Sequence, residues 1–293
     1  MRVSRFRRVR YSFRVRHLAI VASLFFAVTV FAQDGQPAWT DQQKGLSELI
    51  GKLRSLPDNV RGNAQRELAF QIRALPSSPN KLRLAMGLAG RATEGDFGRD
   101  NLQEVTTTLE KALAEQKPAS EDPYLELASL VRYEHMNASI DSPQFIAAMK
   151  RLEADDEARN SVSFTLADLS GRSWTLQDLK GKVVMLNFWA TWCPPCRKEM
   201  PDLETLYKQF ESEGFVVLGV SDDDPSKVRA FVQTQGITYP VLLDPGSKVN
   251  HLLRIEGIPK TFVYGRDGRI VAQSIDMRTK SQFLAMLQAA GLK

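Results

Sequence analysis

The chain has two cysteines, and both stand in one pentapeptide, Trp192-Cys193-Pro194-Pro195-Cys196. Thiols at this spacing can exchange electrons with another disulfide, hold half of a metal site, or close an inert bridge. Zinc takes four ligands, and past the apolar N-terminus only His135 and His251 remain as imidazoles, neither at ligand spacing from the pair. An inert bridge closing so small a loop removes little entropy from the unfolded chain, and a bridge so tight is more readily a labile one. Redox exchange is therefore the leading reading.

The surroundings favour that reading. Val183 to Phe188 (VVMLNF) is an uncharged, strand-like run, and Arg197 to Ser212 has helical character, so the motif leaves a strand and opens a helix. A helix N-terminus presents unpaired N–H groups and the positive end of the macrodipole, both of which stabilise a thiolate. A cysteine so placed can have a pKa of roughly 3.5–7.5, against about 8.5 when free. Cys193, at the mouth of the helix, is expected to be the exposed attacking thiol. Cys196, one turn on, is expected to be the more buried resolving thiol. Pro194 and Pro195 suit a first helical turn, where a missing N–H had no partner, and they stiffen the loop and tune how well the thiolate is held.

Further strand-like runs lie at Phe215 to Val220, Thr261 to Tyr264 and Ile270 to Ala272, the last two joined by the turn Gly265-Arg266-Asp267-Gly268. Helical stretches at Ser226 to Gln235 and Lys280 to Ala289 alternate with them. This pattern predicts an α/β sheet with helices on its faces.

Phe164 to Pro201 (FTLADLSGRSWTLQDLKGKVVMLNFWATWCPPCRKEMP) resembles the opening of a TlpA/ResA-type thioredoxin-like domain, related to the AhpC/TSA redoxins. The likeness continues through Tyr239 to Pro245 (YPVLLDP) and Gly257 to Phe262 (GIPKTF), covering residues 162–293. It implies a thioredoxin-like fold and thiol–disulfide oxidoreductase activity, with the Cys193–Cys196 disulfide as the redox centre and no separate cofactor or metal. Residue by residue, Cys193 matches the nucleophile and Cys196 its resolving partner. Pro259 matches the cis-proline facing them, and a cis bond there would expose the backbone of Ile258 to an extended substrate. Trp192 joins Pro194, Pro195, Ile258 and Pro259 in the implied substrate-facing surface, while Trp189 reads as packing. Glu199 matches an acidic residue of ResA-like members. It lies one turn after Cys196 and could exchange that thiol's proton, although a solvated helix glutamate has the same spacing. Thioredoxin itself carries a buried aspartate six positions before the nucleophile; here it is Asn187, which can hydrogen-bond but cannot take a proton. Lys260 stands where many relatives carry a small polar residue, and reads either as a cation near the site or as a plain surface lysine.

The implied partners are protein thiols and disulfides, apocytochrome c cysteines among them, with a membrane thiol–disulfide carrier as electron donor. Two other functions use the same thiols. A peroxidase would carry Thr-x-x-Cys, but Ala190-Thr191-Trp192 precedes Cys193. A Cu(I)-handling protein would be supported by a Met- or His-rich tract, and the sequence has none.

Residues 33–155 are of another kind. Apolar stripes at helical spacing recur: Leu46, Leu49, Ile50, Leu53 and Leu56; Ala64, Leu68, Ile72 and Leu75; Leu82, Ala85, Met86 and Ala89; Leu102, Val105, Leu109 and Ala112. Fifth and sixth helical segments fall near 122–136 and 143–154. Short Pro-, Gly- and Ser-containing breaks separate them, which predicts antiparallel helical hairpins. This all-α helical-hairpin domain reads as a partner-docking platform or as a packed spacer. His135 stands alone and makes no ligand set. Glu153 to Asn160 (EADDEARN) is polar, and residues 156–161 are expected to link the helical domain to the thioredoxin-like domain over 162–293.

Residues 1–32 hold seven arginines and no acid, ahead of and within reach of a fifteen-residue uncharged run, Leu18 to Ala32, that ends in Val30-Phe31-Ala32. This is the pattern of a signal peptide, or of an N-terminal anchor that stays uncut. In both cases the remainder faces the extracytoplasmic side, the periplasm in a two-membrane cell. The chain's net charge of +5 comes from this segment. Without its arginines, 32 basic residues face 34 acidic ones, so the basic balance does not point to a nucleic-acid partner.

Overall fold

The structure, a computed structural model, describes residues 37–292. The signal or anchor expected over 1–32 lies outside the described residues. From Pro37 onward the chain forms one compact unit.

Its first half is helical: α1 (Asp41–Lys52), α2 (Asp58–Ala74), α3 (Pro79–Ala92), α4 (Arg99–Gln116), α5 (Asp122–Tyr133) and α6 (Pro143–Asn160). The starts carry the chemistry that orphaned N–H groups require. Thr40 and Gln43 form a capping box on α1, while Ser78 and Ser142 accept N–H bonds ahead of Pro79 and Pro143 on α3 and α6. The predicted stripes supply part of the core, with Leu53, Ile72 and Leu109 fully buried, and Leu88, Leu113 and Leu127, outside the named stripes, complete it. Leu49, although in phase, is 48% exposed.

The polar segment expected to be a linker is helical: α6 continues to Asn160. Nothing between Pro143 and Asn160 breaks a helix, and its charges from Asp155 onward have partners, Glu157 while still exposed. Asp155 pairs with Arg254, Glu157 with Arg269, and Asp156 accepts from Arg132, Arg159 and Gln273. Arg159 is buried and donates to the Leu253 carbonyl. A run that looks like a solvated bridge is the seam between the helical half and the sheet.

The second half contains β1 (Thr165–Ala167), β2 (Ser173–Thr175), β3 (Val183–Phe188), α7 (Pro194–Phe210), β4 (Phe215–Ser221), α8 (Pro225–Gln235), β5 (Val241–Leu243), α9 (Lys248–Leu252), β6 (Lys260–Tyr264), β7 (Ile270–Gln273) and α10 (Lys280–Ala289). Five strands form a mixed sheet in the order β5-β4-β3-β6-β7, and β1 and β2 form a separate hairpin. β3 runs parallel to β4 and antiparallel to β6. The short elements β1, β2, β5 and α9 carry too little periodicity to stand out in the sequence.

Alternation along β3 sorts its side chains between two cores. Val183 and Met185 pack with Leu203, Leu206 and Phe210 of α7, Val228 of α8, and Phe283 and Leu287 of α10. Val184, Leu186 and Phe188 face Phe164, Leu176 and Val249 on the other side. Asn187 falls on the α7 face, which brings it to the redox site.

Each edge of the sheet meets some residues from outside it. Beside β5, Leu169 donates to the Val241 carbonyl and Asp168 bridges Leu242. Beside β7, Asn160 accepts from the Ile270 N–H and Asp156 from the Gln273 side chain.

Candidate active site

β3 ends at Phe188, and the chain turns through Thr191 and Trp192 before α7 begins. Asp223, just after β4, fixes this turn by accepting from both the backbone N–H and the hydroxyl of Thr191, at 2.6 and 2.9 Å. Cys193 is the N-cap of α7, with Pro194 and Pro195 as the first two helical residues. An N-cap side chain ordinarily accepts from the second or third helical N–H. Here the second is proline, so only Cys196 N–H is left, and it lies 3.2 Å from Cys193 Sγ. Cys193 and Cys196 are joined as a disulfide with an S–S distance of 1.97 Å.

Cys196 is fully buried, as expected. Cys193 is only 3% exposed, which corrects the expectation of an exposed thiol: in the oxidised pair it sits under the neighbouring loop. That loop carries a cis Ile258–Pro259 bond. The Ile258 carbonyl oxygen stands 3.9 Å from Cys193 Sγ, and Pro259 is buried. Trp192 is 68% exposed, and Pro194 is exposed while Pro195 and Ile258 are half-buried. The motif and the cis-proline loop are thus brought together from positions far apart in the chain. Trp189 is buried and stacks near Phe231, a packing residue as read from the sequence.

Glu199 is no solvated helix glutamate: it is 1% exposed. One carboxylate oxygen accepts from Asn187 Nδ2 at 2.7 Å and the other from the Arg278 backbone N–H at 3.0 Å. Burial pushes Glu199 up to about 8, against the two hydrogen bonds and the Arg278 charge, with Asp276 acting in the same direction as burial. At neutral pH the group is therefore mostly protonated and poised to exchange a proton. Asn187 Nδ2 also donates to Thr261 Oγ1 at 2.9 Å, so the amide ties the carboxyl to β6.

Lys260 is not an open surface lysine. Its Nζ donates to the Ser274 carbonyl at 2.6 Å and lies 5.5 Å from the centre of the Tyr133 ring and 5.1 Å from that of Phe262. Burial pulls Lys260 down to about 7, helped by Arg159 and Arg278 and opposed by Asp156 and Glu256.

A disulfide capping a helix, a cis-proline loop against it and a buried, proton-holding carboxyl one turn along describe a dithiol centre. Comparison with known proteins agrees. Residues 158–273 match the AhpC/TSA family. The thiol-disulfide oxidoreductase ResA of Bacillus anthracis is 37% identical over 145 residues, which span 49% of this chain and 82% of the relative. The chain belongs to the ResA family of thiol-disulfide oxidoreductases. ResA of Bacillus subtilis (strain 168) is 35% identical over 130 residues, 44% of this chain and 73% of its own. Among solved structures, a thioredoxin family thiol:disulfide interchange protein from Chlorobium tepidum TLS aligns at 33% identity over 44% of this chain and 92% of its own, with a TM-score of 0.40. The ResA relatives show the expected TlpA/ResA resemblance and the oxidoreductase activity, with a cysteine pair rather than a separate cofactor as the redox group of the ResA-type enzyme.

Several residues of this ResA-type site carry no sequence signal. Asp223 lies 32 positions from Thr191, and Arg278 lies 79 from Glu199. Both contacts depend on strand order, which a linear motif does not encode. Thr261 stands inside the Gly257–Phe262 match, and its register opposite Asn187 is the one cue to their contact.

Proposed function

We propose that this protein is an extracytoplasmic reductase of protein disulfides, with Cys193 as nucleophile, Cys196 as resolving thiol and Glu199 as their proton-exchanging carboxyl. The observation that carries the reductive direction is the poor donor set around Cys193. With proline at the first two helical positions, a single helical N–H reaches its sulfur. A strong oxidant is one whose reduced form is stabilised, so a sparsely held thiolate argues for a reducing pair.

The Cys193 thiolate attacks one sulfur of a substrate disulfide. That bond breaks, the other substrate sulfur leaves as a thiolate, and a mixed disulfide joins the two proteins. Cys196 gives its proton to Glu199 in its minor, ionised form and attacks Cys193 Sγ, and the second substrate sulfur leaves, taking up the proton that Glu199 received. The substrate gains two electrons and, from Glu199 and solvent, two protons. The protein is left as the Cys193–Cys196 disulfide. Trp192, Pro194, Pro195, Ile258 and Pro259 form the surface on which an extended substrate segment lies, with the Ile258 backbone available for pairing.

Apocytochrome c haem-site cysteines are a suitable substrate class, and a membrane thiol–disulfide carrier would return the electrons. The Arg-rich start followed by an uncharged run supports placement outside the cytoplasm. The decisive measurement is the equilibrium reduction potential of the pair. A value near or below that of thioredoxin, about −270 mV, supports the reductase, and one near about −120 mV makes it an oxidant. Cys193→Ser should abolish turnover, and Cys196→Ala should accumulate mixed disulfides in an extracytoplasmic extract. Absence of such adducts would count against protein substrates.

A further inference from the structure

The loop between β7 and α10, residues 274–279, belongs to both halves of the molecule. On the redox side, Ser274 Oγ accepts from the Thr261 N–H and the Ser274 carbonyl from Lys260 Nζ, while the Arg278 N–H donates to Glu199. On the helical side, Ile275 packs against the helical core, and the Arg278 guanidinium pairs with Glu134, the C-cap of α5. The Arg278 and Glu134 side chains are 4% and 10% exposed. A buried ion pair at one end of a residue and a hydrogen bond to Glu199 at the other leave that residue little freedom.

We propose that the helical half is a positioning element of the redox centre, acting through the Glu134–Arg278 ion pair on the ionisation of Glu199. The inference rests on the reading of Glu199 as the carboxyl that exchanges protons with the cysteine pair. Glu134 is the positioning residue, since it touches neither sulfur nor substrate. Its carboxylate balances the Arg278 charge, which otherwise favours ionised Glu199. Other charged and titratable groups surround this cluster: His135 and Asp156 line the same cavity as Glu134 and Arg278, and Asp96 and Arg99 line a second one beside Glu134. Asp276 and Tyr239 face Glu199, Lys260 faces Arg278, and Glu126 of α5, with Glu94 and Arg54, faces Asp276. Asp276 also faces both Glu199 and the helical half, but only through space, whereas Arg278 donates a hydrogen bond to Glu199 and pairs directly with Glu134.

The sign follows from electrostatics. Glu134→Gln keeps an amide oxygen for Arg278 but removes the negative charge, so the arginine acts on Glu199 uncompensated. Glu199 then releases its proton at lower pH. Arg278→Gln keeps the backbone N–H and removes the positive charge, so the proton is held to higher pH. The double variant replaces the ion pair by two amides and restores the balance.

The test uses the full chain in its oxidised form and follows the carboxyl 13C resonance of Glu199 against pH, assigned by its loss in Glu199→Gln. Glu134→Gln should move the midpoint down by at least about half a pH unit, about threefold in proton affinity. Arg278→Gln should move it up, and the double variant should return it toward the parent. Midpoints that stay together in the two single variants would overturn the inference. So would a double variant that fails to restore a shifted midpoint, since a merely structural loss is not repaired by a second substitution. Should Glu134→Gln not fold, Arg278→Gln and the double variant still decide the matter. Failure of the underlying reading looks different: Glu199→Gln would then leave the pH profile of disulfide reduction unchanged, whatever the resonance does.

Discussion

Glu199→Gln tests the buried carboxyl through stability as well as through catalysis. In the folded oxidised protein burial pushes Glu199 up to about 8 from an ordinary 4.5, so between these values the folded state keeps a proton that the unfolded state releases. Stability must therefore fall as pH rises through this window. For a single group so placed, the loss between pH 5 and pH 7 is about 2.5 kcal/mol. A chain of this length has a urea m-value toward the upper end of about 1–3 kcal/mol/M, so the midpoint shift is roughly 1 M. Glutamine keeps the size and the hydrogen-bonding oxygen but cannot titrate. The assay is urea unfolding of oxidised parent and variant at pH 5, 6 and 7, with the variant's midpoint gaining on the parent's by roughly 1 M across the series. All other titrating groups are shared and cancel in the difference. A gap that stays constant from pH 5 to pH 7 would refute a neutral, buried Glu199.

Lys260→Met tests the opposite case. Its ammonium is disfavoured in the fold below about pH 7 yet persists to about 10.5 when unfolded, so parent stability should recover as pH rises between these values. The variant should exceed the parent most at pH 6, and the gap should narrow by pH 9.5. At Gly219, an added Cβ would stand 3.1 Å from both Trp189 Nε1 and Tyr239 Cε2, so Gly219→Ala should cost about 1–3 kcal/mol in urea unfolding. Trp192 is 68% exposed, so Trp192→Ala should leave stability within about 0.5 kcal/mol while raising KM for a protein disulfide.

The features legible in the sequence were those whose physics is local. β3 and α10 fall where the runs and stripes place them, and α7 begins at the prolines that suit a first turn. Glu199 was in view as a neighbour of Cys196, but spacing cannot tell a solvated carboxylate from a buried one; the α7 face meeting Asn187 and the Arg278 backbone does that. Lys260 was ambiguous for the same reason, since the Tyr133 ring that covers it comes from the helical half. The acidic run ending α6 reads as solvated in sequence, whereas its partners Arg254, Arg269 and Gln273 come from 99, 112 and 117 residues further along the chain.

The contacts at the two sheet edges matter for what this protein meets. Were the proposed reduction of protein disulfides its task, the protein would work against chains that are partly unfolded and rich in unpaired strands. An open edge would invite such chains to add as extra strands, a route to aggregation independent of any cysteine chemistry. Here Leu169 and Asp168 occupy one flank and Asn160 and Asp156 the other, and a register irregularity between Val263 and Tyr264 further disrupts the pairing of β7. These contacts narrow the room for an added strand at either margin, and so favour the proposed loop pair, where a bound segment could be released by breaking a sulfur–sulfur bond.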